Sequence, residues 1–288
     1  MATKKLASLS GRRRAGNIAS YIGLTLISII WIIPFIFLVL QSFDVATTSL
    51  TGNVWPQKWG FDNFIFLFSG DCDFLQWYFN TFIIALCVCV GQTIMQIMMA
   101  YALSRFRFRL RKAMMNVMLV LGMFPGFLTM IVLYEVLKTL GMTGENAVPG
   151  LILVSIASSG MGYYVAKGFL DTMPKSLDEA AMVDGANRFQ VFYKVIMPLC
   201  KPIVIYIILT SFMGPWGDYI FAATLAKNIS EGFNVATGLS TWLSQANIDS
   251  YYKYFCAGGV VVAIPVIVLF LFLQKYYVEG VTGGAVKG

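Results

Sequence analysis

The residues able to do chemistry are few and unevenly placed. Asp218 stands alone as an acid inside a long apolar stretch, within Ser211-Phe212-Met213-Gly214-Pro215-Trp216-Gly217-Asp218-Tyr219. A second group, Ser176, Asp178, Glu179, Ala180, Ala181, Asp184, Gly185 and Ala186, crowds one short polar segment. Histidine is absent, so this chain alone can build no His-containing triad, imidazole metal site or imidazole pH switch. No G-x-x-x-x-G-K-[ST] segment is present to cradle nucleotide phosphates in that way. The five cysteines, at 72, 87, 89, 200 and 256, include no Cys-x-x-Cys pair and read as lone thiols. A carboxylate at a helix centre costs about 2.5–3.5 kcal/mol on insertion scales, and one such residue is thin support for ion coupling. Asp218 therefore either faces a wet cavity, caps a helix break, or meets a substrate.

The elements that must hold these residues follow from composition. Of 288 residues, 58% are hydrophobic and 12% charged, with a mean hydropathy of +0.73. A soluble domain carries about twice that share of charge, and a disordered chain would lack the apolar residues. The expected solvent is lipid. A spanning helix needs about 20 apolar residues, and charge-free intervals occur at 15–43, 74–104, 113–134, 146–166, 202–217 and 254–274. The fifth is short, and extending it past Asp218 to Leu225 completes six spans. The first follows Lys4, Lys5, Arg12, Arg13 and Arg14 but is too long for a signal h-region and has no small-x-small site after it, so a retained anchor is expected. With both ends inside, 17 of the 21 basic residues fall on the cytoplasmic side, leaving Lys58, Lys138, Lys227 and Lys253 outside. The positive-inside rule selects that orientation. The net charge of +7 is then a topology signal with some attraction to anionic lipid, and it implies no nucleic-acid partner.

Between spans four and five, residues 171–198 read as a compact helix-turn-helix. Ser176 with Glu179 forms a capping-box pattern that predicts a helix from Leu177. Asp178 and Glu179 suit its first turn, where the helix dipole favours negative charge. Gly185 permits the turn that ends it. Asn187 with Gln190 predicts a second start, and the helix then runs to about Ile196 before Pro198. Ala180 and Ala181 would let another surface approach closely. The segment reads either as a docking knob or as an amphipathic connector in the membrane interface. Gly122-x-x-x-Gly126 in span three suggests a close helix contact, and Pro125 within it a kink.

The segment resembles the EAA loop of binding-protein-dependent ABC importer permeases. Glu179, Ala180, Ala181, Gly185 and Pro198 match the pattern E-A-A-x-x-x-G, nine residues, I-x-L-P; Val195 and Met197 are conservative departures from its Ile and Leu. Asp184-Gly185-Ala186 and Pro202 are similar to the carbohydrate-uptake branch, and the tail 280–288 looks like that of the smaller maltose-transporter permease. The resemblance covers about 77–288. It implies an all-α membrane protein with six transmembrane helices, the type I importer fold and a cytoplasmic EAA coupling helix. Residues 1–75 then hold the cytoplasmic N-terminus, first span and external loop. The permease core covers 76–277, and 278–288 is a cytoplasmic tail able to reach the ATPases.

The resemblance further implies a bacterial cytoplasmic membrane location and no catalysis or bound cofactor in this chain. ATP and magnesium would reside in two partner ATPase subunits. A second, different permease chain and an extracytoplasmic sugar-binding protein would complete the assembly around a carbohydrate substrate. ATPase coupling falls to Ser176, Asp178, Glu179, Ala180, Ala181, Asp184, Gly185 and Ala186, with Glu179 as the polar contact. Aromatic faces beside a carboxylate suit a sugar, so Gly214, Pro215, Trp216, Asp218 and Tyr219 are candidate pathway residues; a plain kink with interfacial Trp and Tyr is the alternative. Asn234, Thr237, Trp242 and Gln245 fall in the external stretch expected to meet the binding protein or its substrate. A secondary carrier would instead transport without ATP. A membrane-embedded enzyme would show paired ionisable groups at one depth, which the sequence lacks.

Overall fold

In the computed structural model, backbone is described for residues 2–50, 52–159 and 162–285, and side chains within 17–276 except at 19, 51, 160 and 161. Among the described residues the fold is helical throughout, with one isolated antiparallel bridge between Asp44 and Trp59. Four helices or helix runs are long and apolar enough to cross a membrane: Ser20–Ser42, Phe74–Arg105, Gly144–Asp171 and Ile248–Tyr276. Two further spans arise only if each of two sharply bent helix pairs counts as one.

The chain begins with α1 (Ala2–Ser42) and a short external α2 (Asp62–Phe68), followed by α3 (Phe74–Arg105). α3 contains no proline and runs unbroken for 32 residues, about 48 Å at 1.5 Å per residue. That exceeds the roughly 30 Å hydrocarbon core, so its last turns, ending at Arg105, can reach beyond the apolar layer. α4 (Arg111–Gly122) and α5 (Gly126–Thr139) meet at 99°. Pro125 lacks the N–H needed to continue the ladder, and the kink expected there is a full break. Gly122 and Gly126 bracket the break, and a Cβ at Gly126 would have no other atom within 4 Å, so that glycine marks no close helix contact within this chain.

α6 (Ala147–Ala157) and α7 (Gly162–Asp171) lead to α8 (Ser176–Val183). α9 (Arg188–Gln190), a π-helical run Val191–Ile196 and α10 (Met197–Leu199) follow, then turn by 78° into α11 (Lys201–Gly217). The second loop helix thus continues through Pro198 where a stop was expected. Its turns widen to the π form where Pro198 cannot donate to the carbonyl four residues back. Nor does the fifth span continue as one helix past Asp218. α11 ends at Gly217, Asp218 is extended (ψ 94°), and α12 (Ile220–Ala226) starts anew. Then come α13 (Val235–Trp242) and α14 (Ile248–Ala285). α14 runs through the expected tail boundary at 278 to Ala285; residues 286–288 of the tail lie outside the described residues.

α3 is the central post, packed on α6, α7 and α11, while α14 packs on α11 and α1. Two apolar cores result. One gathers Phe74, Trp77, Phe212, Trp216, Leu239 and Trp242 around the start of α3. α13 can lie against this core because Gly238 has no Cβ: one placed there would overlap the Trp77 indole at 2.0 Å. The other gathers Ile97, Ala100, Tyr101, Leu170, Val191 and Ile196 beneath the α8–α9 loop. By contrast, α1 from Ile18 to Ile36 turns most of its large apolar side chains outward. That pattern fits a lipid or protein neighbour.

Candidate functional site

Two places among the described residues gather the candidate site residues beside turned or broken backbone. The first is the α8–α9 loop. Gly185 sits at φ +87°, a conformation that disfavours a Cβ, and a Cβ there would meet no atom within 4 Å. The glycine is thus required by conformation and not by crowding. Asn187 accepts from the Gln190 N–H at 2.9 Å and Gln190 Oε1 from the Asn187 N–H at 2.8 Å, the reciprocal cap read from the sequence. The corresponding box at Ser176 does not form. α8 begins at Ser176 itself, Lys175 occupies the cap position, and no side chain caps the end.

From this start the acids of α8 differ in burial. Glu179, Ala180, Asp184 and Gly185 face outward with Ser176, whereas Asp178 is buried and Ala181 and Ala186 pack against the second core. Three of the eight residues expected to meet an ATPase, Asp178, Ala181 and Ala186, therefore serve the inner face. A residue two before or two after an outward position lies round the far side of a 3.6-residue turn. The outer face instead gains Val183, 87% exposed, with Phe189 and Tyr193. The last two rings stack with planes 4° apart. Their i,i+4 spacing was the available signal.

Asp178 faces Arg105 at the end of α3, Oδ2 to Nε 3.0 Å, as a buried ion pair without the alignment of a hydrogen bond. Arg105 Nη1 also donates to the Met173 carbonyl at 3.3 Å. The neighbouring Ser104 donates to Asp171 Oδ1 at 2.6 Å, and Lys167 Nζ lies 2.5 Å from Asp171 Oδ2. In sequence terms Arg105 counts only as a topology charge; its partner lies 73 positions away.

The second place is a partly open cavity of about 190 Å³ bordered by α3, the α6 end and α11. Gln92, Ser155, Ser158, Thr210, Ser211, Asp218 and Asn234 supply its polar lining. Gln92 ties three helices together: its amide donates to the Ser155 carbonyl at 2.6 Å and its carbonyl accepts from Ser211 Oγ at 2.7 Å. Of the five expected pathway residues, Gly214, Pro215 and Asp218 line this cavity. Trp216 is turned into the core at 7% exposure against Tyr78 and Phe212, so it presents no stacking face. Tyr219 is about half exposed and lies outside the lining. Asp218 and Ser158 also border a larger, mostly apolar cavity of about 500 Å³ alongside the α4–α5 break. Gln92, Ser155, Ser158, Thr210 and Ser211 were absent from the sequence expectation. Polar residues spaced three or four apart in apolar spans, such as Ser155 and Ser158, were the signal.

The expected outer loop folds back into the protein. Asn234 is 1% exposed, donating to the carbonyls of Asp218 (2.5 Å) and Pro215 (3.4 Å) and capping α13 through the Thr237 N–H. It thereby satisfies backbone freed by the α11–α12 break. Thr237 and Trp242 are buried too, and only Gln245 of the four is exposed. Asn234 therefore supports the cavity wall, while Thr237 and Trp242, buried outside that lining, present no exposed surface to a partner.

This fold and these two places define a membrane permease of the binding-protein-dependent class. The chain matches the family described as "Binding-protein-dependent transport system inner membrane component" over residues 92–283, and it belongs to that family. It is 33% identical to the galactooligosaccharides transport system permease protein GanQ of Bacillus subtilis strain 168, covering 98% of this chain and 100% of that one. It is 35% identical to the maltodextrin transport system permease protein MalD of Streptococcus pneumoniae, covering 98% and 99%. A crystal structure of a bacterial ABC transporter that imports the acidic polysaccharide alginate has the same fold, with a TM-score of 0.76 over 92% of this chain and 97% of that one at 24% identity.

Proposed function

We propose that this chain is one of two different membrane subunits of an ATP-driven oligosaccharide importer in a bacterial cytoplasmic membrane. A separate binding protein delivers the sugar and two separate ATPase subunits hold ATP and magnesium. The substrate class is a neutral maltodextrin-type or related oligosaccharide. Support comes from relatives at 33–35% identity that are named as transport permeases for galactooligosaccharides and maltodextrin. The Asp218 carboxylate, with six hydroxyl or amide side chains beside it, offers donors and acceptors for sugar hydroxyls. A cavity of about 190 Å³ is smaller than the roughly 300–1,000 Å³ of a ligand site, which suits a half-pathway whose other wall is the second permease chain.

The observation that carries the reading is the outer face of the α8–α9 loop. Glu179, Ala180 and Val183 on α8, and Phe189 and Tyr193 beyond the glycine turn, are each exposed. On the side where basic residues concentrate, such a knob suits a cleft in a cytoplasmic ATPase. Closure of the ATPase pair on ATP would rock the knob as a rigid body and, with it, the spans, giving alternating access.

The test is reconstitution with the cognate permease, ATPases and binding protein, followed by ATPase and uptake assays over a panel of glycans. Stimulation of both by one oligosaccharide class is expected. Uptake that persists without ATP would overturn the ATP-driven reading, and no stimulation by any carbohydrate would overturn the substrate class.

A further inference from the structure

We propose that Arg105 is a positioning residue through which motion of the α8 knob reaches the polar cavity by way of α3, and not chiefly by way of the chain's own continuation into α11. The inference rests on the reading of α8 as the ATPase-docking helix.

Two routes lead inward from the knob. The covalent route passes through a glycine turn at φ +87°, a π-helical run and a 78° bend before α11 begins. Each is a place where displacement can be absorbed. The second route is a set of side-chain contacts onto one straight helix. Arg105 grips Asp178 within α8 (3.0 Å) and the Met173 carbonyl just before it (3.3 Å). Ser104 holds Asp171 at the end of α7 (2.6 Å), which Lys167 holds from its other oxygen (2.5 Å). Consecutive residues of α3 thus pin the chain on both sides of Pro174. Gln92 stands 13 residues earlier on the same unbroken helix, about 20 Å away at 1.5 Å per residue, and bonds to α6 and α11 across the cavity. A displaced α8 therefore pulls directly on the helix that organises the cavity's hydrogen bonds.

The ion pair itself is a poor stabiliser. The Arg105 side chain is 5% exposed and that of Asp178 12%, yet their N–H and oxygen are not aligned, and Arg105 Nη2 makes no hydrogen bond among the described residues. Burying charge without good geometry returns little of its desolvation cost, so fixing position is the role that remains for the pair.

The test uses the complete reconstituted transporter with its sugar-loaded binding protein, scored as uptake per ATP hydrolysed in assembled complex. D178N, R105Q and the neutral double R105Q/D178N are compared with D178E, which keeps the charge. Each neutral variant is expected to lose about fivefold or more in uptake per ATP, the scale of a typical coupling energy. The apparent affinity for loaded binding protein should be unchanged, the double variant no worse than either single, and D178E closer to wild type. Should the single variants fail to assemble through an unpaired buried charge, the double, which leaves none, carries the same expectation. Wild-type uptake per ATP in the double variant overturns the proposal. If wild type is sugar-stimulated but the variants stay coupled, the α3 route alone falls; if wild type shows no sugar-stimulated ATPase, the functional reading falls as well.

Discussion

At the scale of single residues, Gly185, Glu179, Asp184 and Asp44 set conditions that substitution can probe. Gly185 occupies a left-handed turn with open space around it. An L-residue there costs about 1–2 kcal/mol, so Gly185→Ala should leave an assembled protein of modestly lower stability while the branched Gly185→Val misplaces the knob. Uptake per ATP should then fall in Val and largely survive in Ala. Paired charge reversal at Glu179 and Asp184 should likewise uncouple ATP turnover from transport, and full uptake in that variant would refute a role for those acids. Asp44 is 1% exposed, accepts from the Ala46, Gln57 and Lys58 N–H groups and from Lys253 Nζ at 3.1 Å, and so ties the end of α1 to α14. Burial works to raise its pKa, but the Lys253 contact and the backbone hydrogen bonds outweigh it and hold the carboxyl below its ordinary 3.8. Its folded pKa is depressed, so its stabilising contribution is present above pH 3.8 and is lost as pH falls through the lower folded value. Asp44→Asn should cost roughly 3–5 kcal/mol by leaving the buried Lys253 charge without its carboxylate. Thermal unfolding in detergent at neutral pH should show the loss, and the wild type should approach the variant as pH falls below 3.8 and on through the lower folded value.

At the scale of elements, the breaks matter more than the helices. α11 and α12 are separated at Asp218, and the freed carbonyls of Pro215 and Asp218 are taken up by Asn234 from α13. Asn234→Ala removes those donors and the α13 cap together, a loss of about 2 kcal/mol or more. It should lower transport through the cavity without altering ATPase docking, which ATPase co-purification checks. The α8–α9 loop illustrates how far element reading went. Its two helices, their glycine turn and the Asn187 cap were legible because each depends on residues within four positions of one another. The inward turn of Asp178 was not, because its partner is Arg105 on another element, and the cap at Ser176 failed because α8 begins at Ser176 itself. Val183→Glu or Tyr193→Glu on the exposed face should reduce ATPase co-purification while leaving the monomer folded, since neither side chain is buried.

At the scale of the whole molecule, orientation is the prediction that the charge pattern makes. Cysteine introduced at Arg109 should react with an impermeant maleimide only from the cytoplasmic side, and cysteine at Lys138 only from outside. A reversed pattern would overturn the proposed topology. Sequence alone determined that the chain lives in lipid, because 12% charge cannot cover a soluble surface. It located the apolar stretches, and its loop motif supplied the family resemblance. These are properties of composition and of residues near one another along the chain. Tertiary structure decided which acid of the loop points inward, which of the expected pathway residues meet in the polar cavity, and that Asn234 supports that cavity instead of facing outward. It also split the third apparent span at a 99° break and ended the fifth at Gly217, with α12 starting anew beyond Asp218. Those outcomes depend on partners 16 to 119 positions apart in the chain, brought within hydrogen-bond or ion-pair reach only by packing around α3.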